Sequence, residues 1–175
     1  MKNTLLALVA LITLAASSFA GPSKAPACFA SADAPEVSNV GTIELIPFAA
    51  YTQVKGDGYD FSALGGGIAM RYFLTENNAI ELAGTAYEHD FADLGWTGDI
   101  NYIHGLFGTH DITVYGLIGG GVGYVDTIRY YLRGGVGVEY SISEKIGLFV
   151  DTSYAHEFEI SEHQWGSRIG LKFSF

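Results

Sequence analysis

The stretch Ser167-Arg168-Ile169-Gly170-Leu171-Lys172-Phe173-Ser174-Phe175 decides the reading of the chain. One parity runs Ile169, Leu171, Phe173, Phe175; the other runs Arg168, Gly170, Lys172, Ser174. Successive side chains of a strand point to opposite faces, so this segment has one wholly apolar face and one that carries two cations. Working outward, the same period of two recurs. Ile68, Met70, Tyr72 and Leu74 oppose Gly67, Ala69 and Arg71, and Ile80 and Leu82 oppose Glu81, Ala83 and Thr85. Val136, Val138 and Tyr140 oppose Arg133, Gly135, Gly137 and Glu139. Ile146, Leu148 and Val150 oppose Gly147 and Asp151, and Ile43, Leu45 and Pro47 oppose Thr42 and Glu44. The segments near Ile100–Gly108 and Ile112–Tyr124 alternate less cleanly.

The pattern predicts eight strands, at about 42–54, 61–74, 79–88, 99–108, 112–125, 130–141, 146–158 and 164–175. The connections alternate in character. Thr75-Glu76-Asn77-Asn78, Thr109-His110-Asp111 and Ser143-Glu144-Lys145 read as tight turns, whereas 55–60, 89–98, 126–129 and 159–163 are longer and more acidic. Short turns on one rim and longer loops on the other suit an all-β, closed eight-stranded antiparallel up-and-down barrel that crosses a membrane. The 23 glycines and 14 % aromatic content fit short, closely approaching strands with rings at their ends.

The first residues set the expected compartment. Lys2, the apolar run Leu5 to Ala16, and Ser18-Phe19-Ala20 before Gly21 have the three parts of a secretory signal over residues 1–20. The apolar run is too short for a transmembrane helix. Residues 21–40 are small, proline-containing and aperiodic, and read as a flexible periplasmic leader ahead of a barrel over 41–175. Cys28 is the single cysteine and lies in that leader as an unpaired thiol. Without residues 1–20, eight bases stand against nineteen acids, a net charge of −11. Such a balance argues against nucleic acid as a partner.

The period alone does not say which face is inside, because a soluble barrel shares it. The charged parity contributes Glu44, Glu81, Glu139 and Asp151 against Arg71, Arg133, Arg168 and Lys172, four acids to four bases. A neutral set drawn from so acidic a chain predicts mutual pairing in a closed lumen, with the aliphatic parity toward lipid. A charge on the lipid face near the midplane would cost roughly 2–4 kcal/mol. Aromatics gather toward strand ends. Tyr72, Tyr140, Phe173 and Phe175 lie at the turn rim; Tyr51, Phe61, Tyr124, Tyr130, Tyr131, Tyr154 and Trp165 lie at the loop rim, where interfacial rings are favoured.

The run Val114-Tyr115-Gly116-Leu117-Ile118-Gly119-Gly120-Gly121-Val122-Gly123-Tyr124, then Gly134 to Tyr140, then Leu148 to Tyr154, resembles the OmpA/OmpX-like outer-membrane β-barrel family. The ending Gly170 to Phe175 resembles its C-terminal strand. The likeness spans about 41–175, and its Gly and aromatic motifs are loose. It implies a bacterial outer-membrane barrel with both termini periplasmic, a monomer, and recognition of Leu171, Phe173 and Phe175 by the barrel-assembly machinery. It implies no reaction.

Three places in the chain bear on chemistry. The lipid A deacylase family, similar in size and export, uses a His-x-Ser pair on a late strand with a following carboxylate. Here the matching region reads His156-Glu157-Phe158, so the hydroxyl to be activated is missing. His89, His156 and His163 have no metal-motif spacing, and no cofactor is called for. Gly119 to Gly123 has no Lys-Ser/Thr and no following helix, so it is not a phosphate loop. Ten rim acids (Asp57, Asp60, Glu88, Asp90, Asp93, Asp99, Asp126, Glu157, Glu159, Glu162) face Lys55 and Arg129. Such a rim would meet lipopolysaccharide phosphates through bridging Mg²⁺ or Ca²⁺. The expected role is non-enzymatic, structural or surface-interacting. The inward glycines Gly67, Gly135, Gly137, Gly147 and Gly170 leave a narrow solute channel as the first alternative, with a lipid A-modifying barrel enzyme behind it.

Overall fold

A computed structural model describes residues 40–56, 59–88, 95–109, 111–124, 127–158 and 163–175, with the side chains of 56–61 outside the description. The signal segment, the leader with Cys28 and the loop tips lie outside the described residues. So do the side chains of Asp57, Asp60, Phe61, His89, Asp90, Asp93, Asp126, Glu159 and Glu162.

Eight strands run β1 Ile43–Gly56, β2 Tyr59–Thr75, β3 Asn78–Glu88, β4 Gly95–Gly108, β5 Ile112–Tyr124, β6 Ile128–Ser141, β7 Ile146–Glu157 and β8 His163–Ser174. Each pairs antiparallel with its sequence neighbour, and β8 closes on β1. Closure leaves no unpaired edge, a requirement for a sheet surrounded by hydrocarbon. At the seam Phe175 N–H donates to Ile43 O at 3.0 Å, and on the other side of β8 Ser174 N–H donates to Lys145 O at 3.0 Å. The short turns are locally built: the Thr75 hydroxyl accepts from the Asn78 side-chain amide at 2.6 Å, and Ile142 N–H donates to Ile146 O at 2.9 Å.

Most strands extend one to four residues beyond or short of their expected ends, the largest change being β4, which begins at Gly95 instead of about 99. The two segments without clean alternation have physical causes. β4 carries a register shift between Gly105 and Phe107, which puts both Leu106 (52 % exposed) and Phe107 (68 %) on the outside. In β5 the inward residues include Tyr115 and Leu117, so both faces are apolar and hydropathy does not alternate.

Elsewhere the parity is sharp. Val138 is 46 % exposed and its neighbour Glu139 2 %, while Ile100, Ile118, Leu132, Val150 and Ile169 also point outward. A belt of aliphatics around the whole circumference far exceeds the apolar patches a water-soluble monomer displays. Hydrocarbon is the solvent that accommodates it. Tyr51, Tyr72, Tyr124, Tyr130, Tyr140, Trp165 and Phe175 are exposed near the strand ends. Tyr131 is the exception to the expected bands, since it lies on the inward parity, 6 % exposed.

Candidate functional site

Register alone assembles the inner charges. Glu44 on β1 is opposite Arg71 on β2, Arg71 is opposite Glu81 on β3, and Glu81 is opposite Asn101 on β4. Across the barrel Asp151 on β7 is opposite Arg168 on β8. Because every member sits on the inward parity, closing the sheet brings both arcs to one axis.

Arg71 is fully buried and meets three carboxylates: Glu139, Glu81 at 3.0 Å and Glu44 at 3.5 Å. The Glu44 contact is electrostatic, since its Oε2 accepts no hydrogen bond among the described residues. Lys172 Nζ bridges Glu139 at 2.8 Å and Glu44 at 3.2 Å. Arg168 joins Asp151 at 2.6 Å to Glu81 at 2.9 Å. Neutral groups fill the remaining valences. Asn101 donates to Glu81 at 3.2 Å, Tyr115 OH to Asp151 at 3.1 Å, and Ser174 OH to Glu44 at 3.2 Å. The Arg71 guanidinium lies 5.3 Å from the Tyr115 ring centroid and that of Arg168 lies 5.1 Å from Phe48. Seven of the eight inner charges expected from the sequence thus form one continuous plug.

The eighth, Arg133, stands apart. Its partner is Asp99 at 3.1 Å, a residue expected on the acidic rim. Asp99 is 6 % exposed and also accepts from the Tyr131 hydroxyl at 2.6 Å. Glu157, likewise expected on the rim, is buried and pairs with Arg129 at 3.4 Å. The expected four-to-four balance is therefore corrected: Asp99 makes five acids against four bases, and the Arg129–Glu157 pair lies above them. Sequence inspection missed Asp99, Asn101, Tyr115 and Tyr131 as members of the inner network. Asp99 and Tyr131 share the parity of inward neighbours on their strands, which was the available signal.

Each of the inward glycines makes room for a neighbour. A Cβ on Gly67 would strike the Phe48 ring, on Gly137 the Tyr115 ring, and on Gly147 the Lys172 stem. On Gly135 it would meet Ser153, and on Gly170 both Phe48 and Phe149. Small residues on one strand seat large ones from another, as close packing of a narrow barrel demands.

On the outer wall His156 is directly opposite His163, with ring centroids 5.4 Å apart, and the Tyr154 hydroxyl bonds His163 Nδ1. Phe158 is exposed, and Glu157 points through the wall to the other side. His156 and Glu157 are thus on opposite faces of the sheet. In the C-terminal strand, Leu171 and Phe173 are half-buried on the outward parity and Phe175 is exposed beyond them.

No protein-family model matches the sequence, and neither does any curated protein sequence. Solved structures do match. Neisserial surface protein A is similar at a TM-score of 0.68 with 14 % identity, over 77 % of this chain and 99 % of that one. The N-terminal barrel domain of Pseudomonas aeruginosa OprF gives 0.62 with 17 % identity, over 78 % and 98 %. Ail, the attachment invasion locus protein of Yersinia pestis, gives 0.58 with 15 % identity, over 78 % and 99 %. Identities this low speak for the fold. The chain has the closed eight-stranded antiparallel fold of these outer-membrane barrels.

Proposed function

We propose that this protein is a non-enzymatic barrel of the bacterial outer membrane with a structural or surface-interaction role in the envelope. The observation that carries this reading is the plug: Arg71, Arg168 and Lys172 are consumed by Glu44, Glu81, Glu139 and Asp151 in the turn-side half of the lumen. Charges that satisfy one another leave none to lower the barrier for a solute, so the outer end is the part that meets other molecules. The fold shared with Ail, a protein named for attachment and invasion, supports the surface-interaction half of the reading. Phe158 in place of a serine, and Glu157 on the opposite face from His156, support the non-enzymatic half.

In this reading residues 1–20 are removed on export and both termini are periplasmic. The strand bearing Leu171, Phe173 and Phe175 is what the barrel-assembly machinery recognises, and the folded protein is a monomer. Exposed rim acids such as Glu88 reach lipopolysaccharide phosphates through Mg²⁺ or Ca²⁺.

Single-channel recording in planar bilayers separates this reading from the narrow channel. The purified barrel is expected to give no discrete conductance steps; reproducible steps abolished by added bulk in the lumen would establish the channel instead. Adhesion and envelope permeability of cells with and without the gene then report the role itself. A gene deletion that alters permeability but not adhesion would remove the surface-interaction half.

A further inference from the structure

The outer wall carries one cationic row. Among the described strand residues, Lys55 is the single lysine or arginine on the outward parity. Strand register sets it beside histidines: Lys55 on β1 is opposite His163 on β8, and His163 is opposite His156 on β7. All three are exposed, and the two imidazole centroids are 5.4 Å apart. The next row toward the turn side is Gln53, Trp165 and Tyr154, in which the Trp165 and Tyr154 rings meet edge to face at 5.1 Å. After Ser167 and Thr152, Ile169 and Val150 begin the aliphatic wall. The height of the row follows from the strand. His156 lies ten positions along β7 from Ile146 (146 to 156), which is opposite Phe173 at the turn rim. Ten residues at about 3.3 Å each, on a strand tilted about 40°, rise roughly 25 Å, the height of the apolar band of such a barrel. Lys55, His163 and His156 therefore stand at the far edge of the hydrocarbon, level with lipid headgroups. Trp165 and Tyr154 lie just inside it, where interfacial rings are favoured.

We propose that Lys55, His163 and His156 form a seat for a phosphate group of an outer-leaflet lipid, in this membrane a lipopolysaccharide. Lys55 supplies a full positive charge on a stem long enough to reach the headgroups, and the imidazoles supply N–H donors. The Tyr154 hydroxyl orients the central ring: donating to His163 Nδ1, it leaves the ring proton on Nε2 for an anionic phosphate oxygen. Two facing histidines would also suit a transition metal. Lys55, however, opposes a cation at the same place, so an anion is the ligand that the whole row fits. A lipid phosphate is the anion that surrounds a barrel at that depth. The seat rests on the outer-membrane reading, with the loop ends in the outer leaflet. It adds to that reading a direct contact that needs no bridging Mg²⁺ or Ca²⁺.

The test is native mass spectrometry of the full barrel in detergent micelles, with EDTA throughout, titrated with diphosphoryl lipid A and with the same lipid A after enzymatic dephosphorylation. A saturable single adduct is expected with diphosphoryl lipid A, about tenfold weaker after dephosphorylation, the scale of one lost hydrogen bond to a charged group. Equimolar inorganic phosphate, which has no acyl chains to hold it at the wall, should not compete. Lys55→Gln and His163→Gln should each weaken the adduct about tenfold. Tyr154→Phe, which keeps the ring and loses the hydroxyl, should weaken it severalfold. Asp60→Asn, which removes the acid opposite Lys55 on β2, should not weaken it. A retained heat-modifiable gel shift shows each variant folded. Equal binding of the dephosphorylated lipid, or unchanged binding by folded Lys55→Gln or His163→Gln, would overturn the seat. So would a Zn²⁺ adduct, recorded without EDTA and lost in His163→Gln, on a barrel with no phosphate preference, which assigns the pair to a metal. Cell fractionation separates the two failures. A barrel that is in the outer membrane but shows no phosphate preference refutes the seat alone, and one found elsewhere refutes the location on which it rests.

Discussion

The two halves of the lumen are drawn from the same inward parity of the same strands, yet they are built differently. On the turn side, Arg71, Arg168 and Lys172 share four carboxylates, and Phe48, Tyr115 and Phe149 fill the space over glycines. On the loop side the charges come as separate pairs, Arg133 with Asp99 and Arg129 with Glu157, beside hydroxyls and an amide that line a small vestibule. The difference teaches that closure at eight strands does not by itself fill a barrel. Filling depends on which glycine faces which large side chain, and on whether several ions converge or pair off.

Removing the hub should show the contrast at its largest. Arg71→Leu leaves Glu44, Glu81 and Glu139 short of a cation in a sealed space, and is expected to cost about 3–5 kcal/mol. Urea unfolding in lipid vesicles measures it, with Arg133→Leu in the vestibule as the reference. Equal losses for the two variants would erase the distinction between the halves.

The contrast also presumes that the aliphatic parity is fixed by lipid. Val138→Arg, next to the plug residue Glu139 but on the other face, is expected to lose roughly 2–4 kcal/mol in the same assay. Spin labels at 136–140 should show oxygen accessibility peaking at Val136, Val138 and Tyr140. The opposite phase would exchange inside for outside.

The smallest effect sharpens the packing argument. Gly137→Ala puts a methyl against the Tyr115 ring and should cost about 1–3 kcal/mol, as overpacking does. Gly123→Ala in the vestibule meets the Thr97 methyl at 3.3 Å and, at the ordinary contact distance of 3.7 Å, Trp96 O and the Tyr131 ring, and should fall within about 0.5 kcal/mol of the parent. A Gly123 variant as damaging as the Gly137 variant would mean the vestibule is as tightly filled as the plug.

What the sequence determined by itself is what depends on neighbours along the chain. The side-chain period of two is local, so Ile169, Leu171 and Phe173 against Arg168, Gly170 and Lys172 fixed the strand, its two faces and the number of such strands. The preference of hydrocarbon for uncharged surface then fixed which face is out, and Val138 and Glu139 stand accordingly. β5 was less readable because Tyr115 and Leu117 are apolar residues that face inward. Tertiary structure alone decided the partners. Strand register and closure determine which inward side chains reach a common axis, and these are properties of pairs of strands distant in sequence. Nothing near Arg133 in the chain designates Asp99, 34 positions earlier, over Asp151 or Glu81. The same holds for Tyr131, which left the expected interfacial band to donate to Asp99 because the closed sheet turned both residues toward the vestibule.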